Sequence, residues 1–221
     1  MKQVASIAAL LAACAGGDSD AARAGLDAGE LPYVTEVVAF EPGDSAGYGQ
    51  DDLPDVVLGP PRGKGEQVGS LHVLSLGVGG EIVLGFEPRA IVDEPGVDLV
   101  VFENAFWAGG DPSSVFAEPA EVAVSEDGEV WHTFACDQDG DAERQFAGCA
   151  GWTPTLEYDA GELVPIDPEQ TGGDRFDLAE LGLSTARYVR IRDLSDQGEG
   201  TNAGFDLDAV GLVHFADEDQ L

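Results

Sequence analysis

Basic residues are what this 221-residue chain most lacks: 10 Lys and Arg stand against 43 Asp and Glu, a formal charge of −33. A surface of that sign repels phosphate backbones, which excludes nucleic acid as a partner, and it excludes charge-driven adhesion to anionic headgroups. No apolar run approaches the ~20 residues needed to cross a bilayer as a helix. Histidine is scarce, and His72, His132 and His214 all fall inside candidate strands, so neither zinc spacing nor a catalytic triad takes shape. Helical periodicity is almost missing; only Asp177-Leu178-Ala179-Glu180-Leu181 reads as a turn or two. A core is not lacking. Apolar residues make up 43% of the chain, with ten Phe and three Trp, so the acidity is not a signature of disorder. Three readings of it stay open: divalent-cation binding, adaptation to a salty exterior, or plain solubility.

The amino terminus carries Lys2, a short apolar stretch from Val4 to Leu11, then Leu11-Ala12-Ala13-Cys14. Charge, short apolar run and small residues make a secretory signal. Small residues directly before a cysteine resemble the bacterial lipobox. That resemblance implies removal of residues 1–13 and a diacylglyceryl thioether on Cys14, with fatty chains such as palmitate; two or more chains anchor stably where one does not. Ala15 after the cysteine is similar to the outer-membrane form of the sorting signal. Residues 14–32 are small, polar and without periodicity, as a flexible tether would be. The other reading is a free or buried Cys14 behind an ordinary signal. The expected location is therefore outside the cell membrane, held at a cell surface or outer membrane through lipid. In such a compartment Cys136 and Cys149 are expected to form a disulfide, the alternative being two free thiols or a metal pair.

From Pro32 onward short strands are broken by Gly, Pro and Asp turns. The expected strands are Tyr33–Phe40, Ser70–Leu76, Glu81–Phe86, Asp98–Glu103, Ala120–Ser125, Val130–Ala135, Ala186–Asp193 and Phe205–Phe215. Glu126-Asp127-Gly128-Glu129 marks a hairpin turn. Many short strands without βαβ alternation predict an all-β fold, an antiparallel β-sandwich or jelly roll with long Gly/Pro/Asp-rich loops. One domain is expected over 33–216, followed by an acidic tail at 217–221. Two irregular stretches, 42–68 and 105–119, are placed where a rigid sandwich carries binding function, and Phe106 and Trp107 in the second are the ligand-binding candidates.

Val122-Ala123-Val124-Ser125-Glu126-Asp127-Gly128-Glu129-Val130-Trp131, Ala186-Arg187-Tyr188-Val189-Arg190-Ile191 and Phe205-Asp206-Leu207-Asp208-Ala209-Val210 resemble strands of discoidin-like, galactose-binding-like jelly rolls. The blocks Gly47–Gln50, Pro54–Pro61, Gly79–Ile82 and Asp98–Asn104 are similar to a group of bacterial cell-surface lipoproteins. The resemblance implies a galactose-binding-like sandwich with Trp131 in the core and the Arg190 and Arg192 side chains on the outer face. It also implies a structural Ca²⁺ near a sheet edge. Calcium takes six to eight oxygens, and Asn202, Asp206, Asp208 and Glu103 are its candidate ligands. Asp93, Asp98, Glu103 and Asn104 read as a second acidic group around another strand.

Other motifs fail on their own terms. Asp137-Gln138-Asp139-Gly140-Asp141 places its glycine fourth where an EF-hand needs it sixth, and Gly148 stands where the loop needs a glutamate. Gly43-Asp44-Ser45-Ala46-Gly47 matches a nucleophile elbow in letters, but Tyr48-Gly49-Gln50 does not start the helix an elbow requires. The expectation is thus a non-enzymatic surface lipoprotein whose sandwich binds an extracellular carbohydrate-like or protein ligand. The alternative is a structural or adhesive envelope component with no small-molecule site.

Overall fold

The computed structural model describes residues 32–138, 146–156, 166–195 and 203–221. Period-two alternation builds strands in it wherever one face meets the core. β1 (Glu36–Glu41), β3 (Glu81–Gly85), β8 (Ala120–Ser125), β9 (His132–Thr133) and β12 (Tyr188–Asp193) form a five-stranded sheet ordered β1-β3-β12-β8-β9. β2 (Leu74–Ser75), β5 (Leu99–Glu103), β10 (Asp174–Phe176) and β13 (Asp206–Leu212) form a second sheet ordered β10-β5-β13-β2. β4 (Arg89–Val92), β11 (Thr185–Ala186) and β14 (Phe215–Asp217) make a smaller third sheet, and β6 (Phe106–Trp107) pairs with β7 (Val115–Phe116). All these pairings are antiparallel. The protein is an antiparallel β-sandwich, as its turn-punctuated strands predict.

The two large sheets share one core. Ile82, Leu84, Val122, Val124, Val189 and Ile191 from the first meet Leu99, Val101, Leu207, Val210 and Leu212 from the second. Phe134 and Phe176 join the layers with ring centroids 4.9 Å apart. Full burial of each such side chain is worth about 1.5–3 kcal/mol before entropy is charged against it. A second cluster, Tyr33, Val100, Phe102, Ile166 and Ala209, covers the back of the second sheet. β5 and β13 are therefore buried on both faces, which is why Leu99-Val100-Val101-Phe102 runs apolar without alternation.

The structure revises several local expectations. Trp131 does not fill the core: it is half-exposed on the outer face, with the Arg190 guanidinium 4.7 Å from its ring centroid, and Phe134 takes the buried place. Parity explains the exchange, because Trp131 shares its side of the strand with outward-facing Thr133. The strand expected over Ser70–Leu76 contracts to Leu74–Ser75, and β4 and β10 arise where none was expected. β10 has three residues, too few to show a period. The expected helical turn at 177–181 is a 3-10 turn over Leu178–Leu181, capped by Asp177, whose carboxylate accepts the Ala179 N–H at 2.9 Å. The Asp127-Gly128 hairpin forms as expected: Asp127 accepts N–H groups from Glu129 and Val130, and Gly128 takes the positive φ that the turn requires.

Strand direction sorts the loops. At one end β5 and β12 finish while β8 and β13 begin, with Asp193 opposite Ala120 and Asp206 opposite Ser75. The segments around 60–70 and 104–119 leave from this end, and so do the residues that follow Asp193. The described chain enters at the other, where Tyr33 bridges to Gly211 near the finish of β13.

Candidate functional site

Just beyond Glu103 the chain leaves the sandwich as the β6–β7 hairpin. Its reversal uses Gly109 and Gly110, both at positive φ, and Asp111, which accepts the Ser113 N–H and hydroxyl. Cross-strand pairing sets Phe106 against Phe116, with ring centroids 5.1 Å apart and planes 21° from parallel. Trp107 donates its backbone N–H to the Glu66 carbonyl, which ties the hairpin to the 60–70 loop. Phe106 and Trp107 are half-buried, and Phe116 is 46% exposed. Sequence reasoning found the first two; Phe116 became visible only through the pairing that stacks it.

A second aromatic pair, Phe146 and Trp152 at 5.2 Å, lies beside the Cys136–Cys149 disulfide, whose Cα atoms are 4.6 Å apart. Asp137 and Ala147 form an antiparallel bridge just inside the expected bond. Closing so short a loop contributes about 3 kcal/mol in the chain-entropy model. Replacing Cys136 and Cys149 with serine is expected to lower the melting temperature by about 8 °C in differential scanning calorimetry. An unchanged transition would mean that the loop is indifferent to its staple.

Buried aspartates hold the loops to the sandwich. Asp98 accepts N–H groups from Glu94 and Leu178 and lies 2.9 Å from the His214 ring nitrogen. Asp174 accepts from Gly151, Trp152 and Thr153. Asp208 gives both oxygens to the Arg62 N–H, at 2.9 and 2.8 Å, which pins the 60–63 segment against a bulge in β13. Burial pushes Asp208 up to about 7 and Asp174 up to about 6, although the same amide donors pull them down.

Three other acids are handled differently. Glu103 is 1% exposed, and neither of its carboxylate oxygens has a hydrogen-bond partner among the described residues; nor does the Asn104 side-chain oxygen. Asp206 accepts the Ser75 hydroxyl and, at 3.4 Å, the Asn104 amide. Glu118 stands half-buried at the other foot of the hairpin, where the Gly204 N–H is its backbone donor. Burial raises Glu103 well above the carboxylate range, and Asp206, Glu118 and Asp174 add to it. Burial lifts Glu118 to about 8, with Asp206 and Asp193 adding to it, and Asp206 to about 6.

Of the expected calcium ligands, Glu103 and Asp206 thus come together, Asp208 serves the 60–63 loop, and Asn202 lies outside the described residues, as does Cys14. The expected second acidic group divides. Asp98 and Glu103 stand at opposite ends of β5, about 17 Å apart by strand rise. Asp98 instead joins Asp93 and Asp177, with carboxylate oxygens within 4.8 Å of one another. Glu118 was missed because nothing in its neighbourhood signals burial; the hairpin brings it back beside Glu103. Ser45, in the elbow-like motif, sits in a tight turn at φ 62, followed by a three-residue 3-10 turn.

No protein-family model and no curated protein matches the chain. Solved structures similar to it include the C-terminal domain of a chitobiase from Bacteroides fragilis, at 15% identity and TM-score 0.30, covering 60% of this chain and 61% of that one. A glycoside hydrolase is similar at 15% identity and TM-score 0.31, over 65% of this chain and 22% of that one. The chain thus spans less than two thirds of either. Likeness this distant says nothing of ligand or activity, and the fold stands on the strand pairing itself.

Proposed function

We propose that this chain is a surface lipoprotein, held by Cys14, whose sandwich is a non-catalytic module binding a neutral saccharide at its loop end. The observation that carries the ligand reading is the β6–β7 hairpin: a stacked Phe106–Phe116 pair and Trp107 on a two-stranded support. Sugar rings present apolar C–H faces edged by hydroxyls, and aromatic side chains supply large, rigid apolar area for such a face. The charge of −33 favours uncharged glycans over sulfated or uronate-rich ones. Geometry suits a tether as well. The described chain enters opposite the hairpin, so an anchor at residue 14 would turn the aromatics outward from the membrane.

Two experiments test the reading. On an array of neutral glycans, Trp107→Ala combined with Phe116→Ala is expected to weaken binding at least ~10-fold while leaving the melting temperature within ~2 °C, as befits a surface site. Equal binding by the double variant would remove the hairpin from the site. Cys14→Ser is expected to move the protein from the membrane fraction to the soluble one; retention at the membrane would sink the anchor.

A further inference from the structure

We infer that Phe146 and Trp152 form a second aromatic platform beside the β6–β7 hairpin, so that the loop end takes an oligosaccharide several rings long rather than a single terminal sugar. This rests on the saccharide reading of the hairpin and adds a subsite to it.

Backbone contacts hold the two platforms side by side. Ala120 and Ala150 exchange N–H groups at 3.0 Å where β8 begins, at the end of the sandwich that carries the hairpin. Gly151 then runs so close to the hairpin foot that a Cβ on it would stand 2.1 Å from the Glu118 carbonyl oxygen. Phe116 lies two residues before Glu118 and Trp152 one residue after Gly151, at most ~11 Å of backbone in all. A second connection runs through the 60–70 loop. The Trp107 N–H donates to the Glu66 carbonyl, and the Gly65 N–H donates to the Thr155 carbonyl at 3.1 Å. The Thr155 hydroxyl in turn donates to the Glu103 carbonyl at 2.9 Å. Three loops thus close a ring of contacts that carries both aromatic pairs, which fixes one platform against the other.

The second pair is held rigidly without serving the core. The Phe146 and Trp152 rings are half-buried, and their planes meet at 51°. Neither ring joins or packs against the two core clusters of the described residues. Asp174 accepts the Gly151, Trp152 and Thr153 N–H groups at 2.6, 3.1 and 3.0 Å, and so fixes the backbone that presents Trp152. Phe146 stands at φ 62, a region that bulky L-residues rarely enter. The disulfide-closed loop keeps it there, with the Cys149 N–H donating to the Phe146 carbonyl at 2.9 Å. A bulky residue retained in a strained conformation points to a use for its side chain. Rigid aromatic area suits the apolar face of a sugar ring and loses little freedom on contact. A chain that reaches both platforms makes its second contact intramolecularly, so affinity rises with ligand length.

The test uses the purified full chain and size ladders, about two to eight units long, of neutral linear glucans, xylans, mannans and galactans, with affinity read by calorimetry. On a ladder that binds, affinity is expected to rise at least ~10-fold from the shortest to the longest member. Trp152→Ala should cut affinity for the longest members at least ~10-fold and leave the shortest within ~2-fold. Phe146→Gly should weaken the longest members at least ~3-fold. Its melting temperature should stay within ~2 °C, because glycine takes φ 62 without strain and this offsets the lost ring contact. Should Trp152→Ala fail to fold, Phe146→Gly still decides the matter. Binding that is independent of length, yet lost when Trp107→Ala and Phe116→Ala are combined, would keep the hairpin reading and overturn the second platform. So would undiminished affinity for the longest members in both Trp152→Ala and Phe146→Gly. Binding to none of the ladders would sink the saccharide reading and this one together.

Discussion

Asp193→Ala is expected to lower the melting temperature by about 10 °C, the largest effect of any single substitution proposed for this protein. Asp193 ends β12 and is buried. Its Oδ1 accepts the Phe205 N–H and the Ser195 hydroxyl, each at 2.8 Å; its Oδ2 accepts the Gly79 and Ser195 N–H groups at 2.9 and 3.1 Å. One carboxylate thus gathers the β2–β3 connection, the exit from β12 and the entry to β13. Alanine strands several backbone donors away from solvent, each at about 1–3 kcal/mol, for a total near 4 kcal/mol once partial rehydration is allowed. At this chain length that corresponds to about 10 °C. Asp193→Asn keeps one acceptor oxygen and should fall about halfway. Asp217→Ala is the control: its pair with Arg89, at 3.6 Å, is exposed on the Asp217 side and should matter little. A drop no larger for Asp193→Ala than for Asp217→Ala would refute the stapling role.

Stability should fall as pH rises from 5.5 to 8.5, the reverse of what carboxylates held by ion pairs would give. Burial holds Glu118 at about 8, Asp208 at about 7, and Asp206 and Asp174 at about 6. In the unfolded chain these groups titrate near 4. Between those limits the folded protein keeps protons that the unfolded chain has lost, so each step up in pH favours unfolding. The stabilisation is fully present below the unfolded values and is lost as pH passes the folded ones. Screening and relaxation reduce the nominal shifts, and about 3 kcal/mol between pH 5.5 and 8.5 is the expected difference, or roughly 8 °C. General repulsion among surface acids has the same sign but is screened by salt, whereas buried groups are not. The slope should therefore survive 0.5 M sodium chloride in chelator. A flat profile in chelator, or one erased by salt, would show that these carboxyls are not held as their burial implies.

Local chemistry made much of the architecture readable. Ala120–Ser125 alternates and is followed by Asp127-Gly128, so a strand and its hairpin could be read without knowing what either packs against. The cysteine pair was readable too, since two thiols thirteen residues apart close a short loop readily once the chain is read as exported. Trp131 was misplaced because its apolar character says it wants cover, and the Arg190 side chain, from β12 two strands across the sheet, supplies that on the outer face. β10 and β4 were invisible because they are short and owe their conformation to the strands beside them.

The site was legible only in part, for a related reason. Glu103, Asp206 and Asp208 were singled out through the resemblance, yet Asp208 is occupied by the Arg62 amide through a bulge that no local pattern announces. Phe116 and Glu118 carried no signal, since their roles depend on a hairpin folding back on Phe106 and Glu103.

From the sequence by itself follow an antiparallel β-sandwich, a disulfide-closed loop and a strongly acidic surface. Each rests on period, turn chemistry or composition, which act over a few residues or over the whole chain. The tertiary structure alone decided which acids of the described residues are buried, which of those are satisfied by loop amides, and that the Glu103 carboxylate oxygens make no hydrogen bond among them. The physical reason is range: β5 and β13 pair across about a hundred residues, and a carboxylate's burden is set by what that pairing brings beside it.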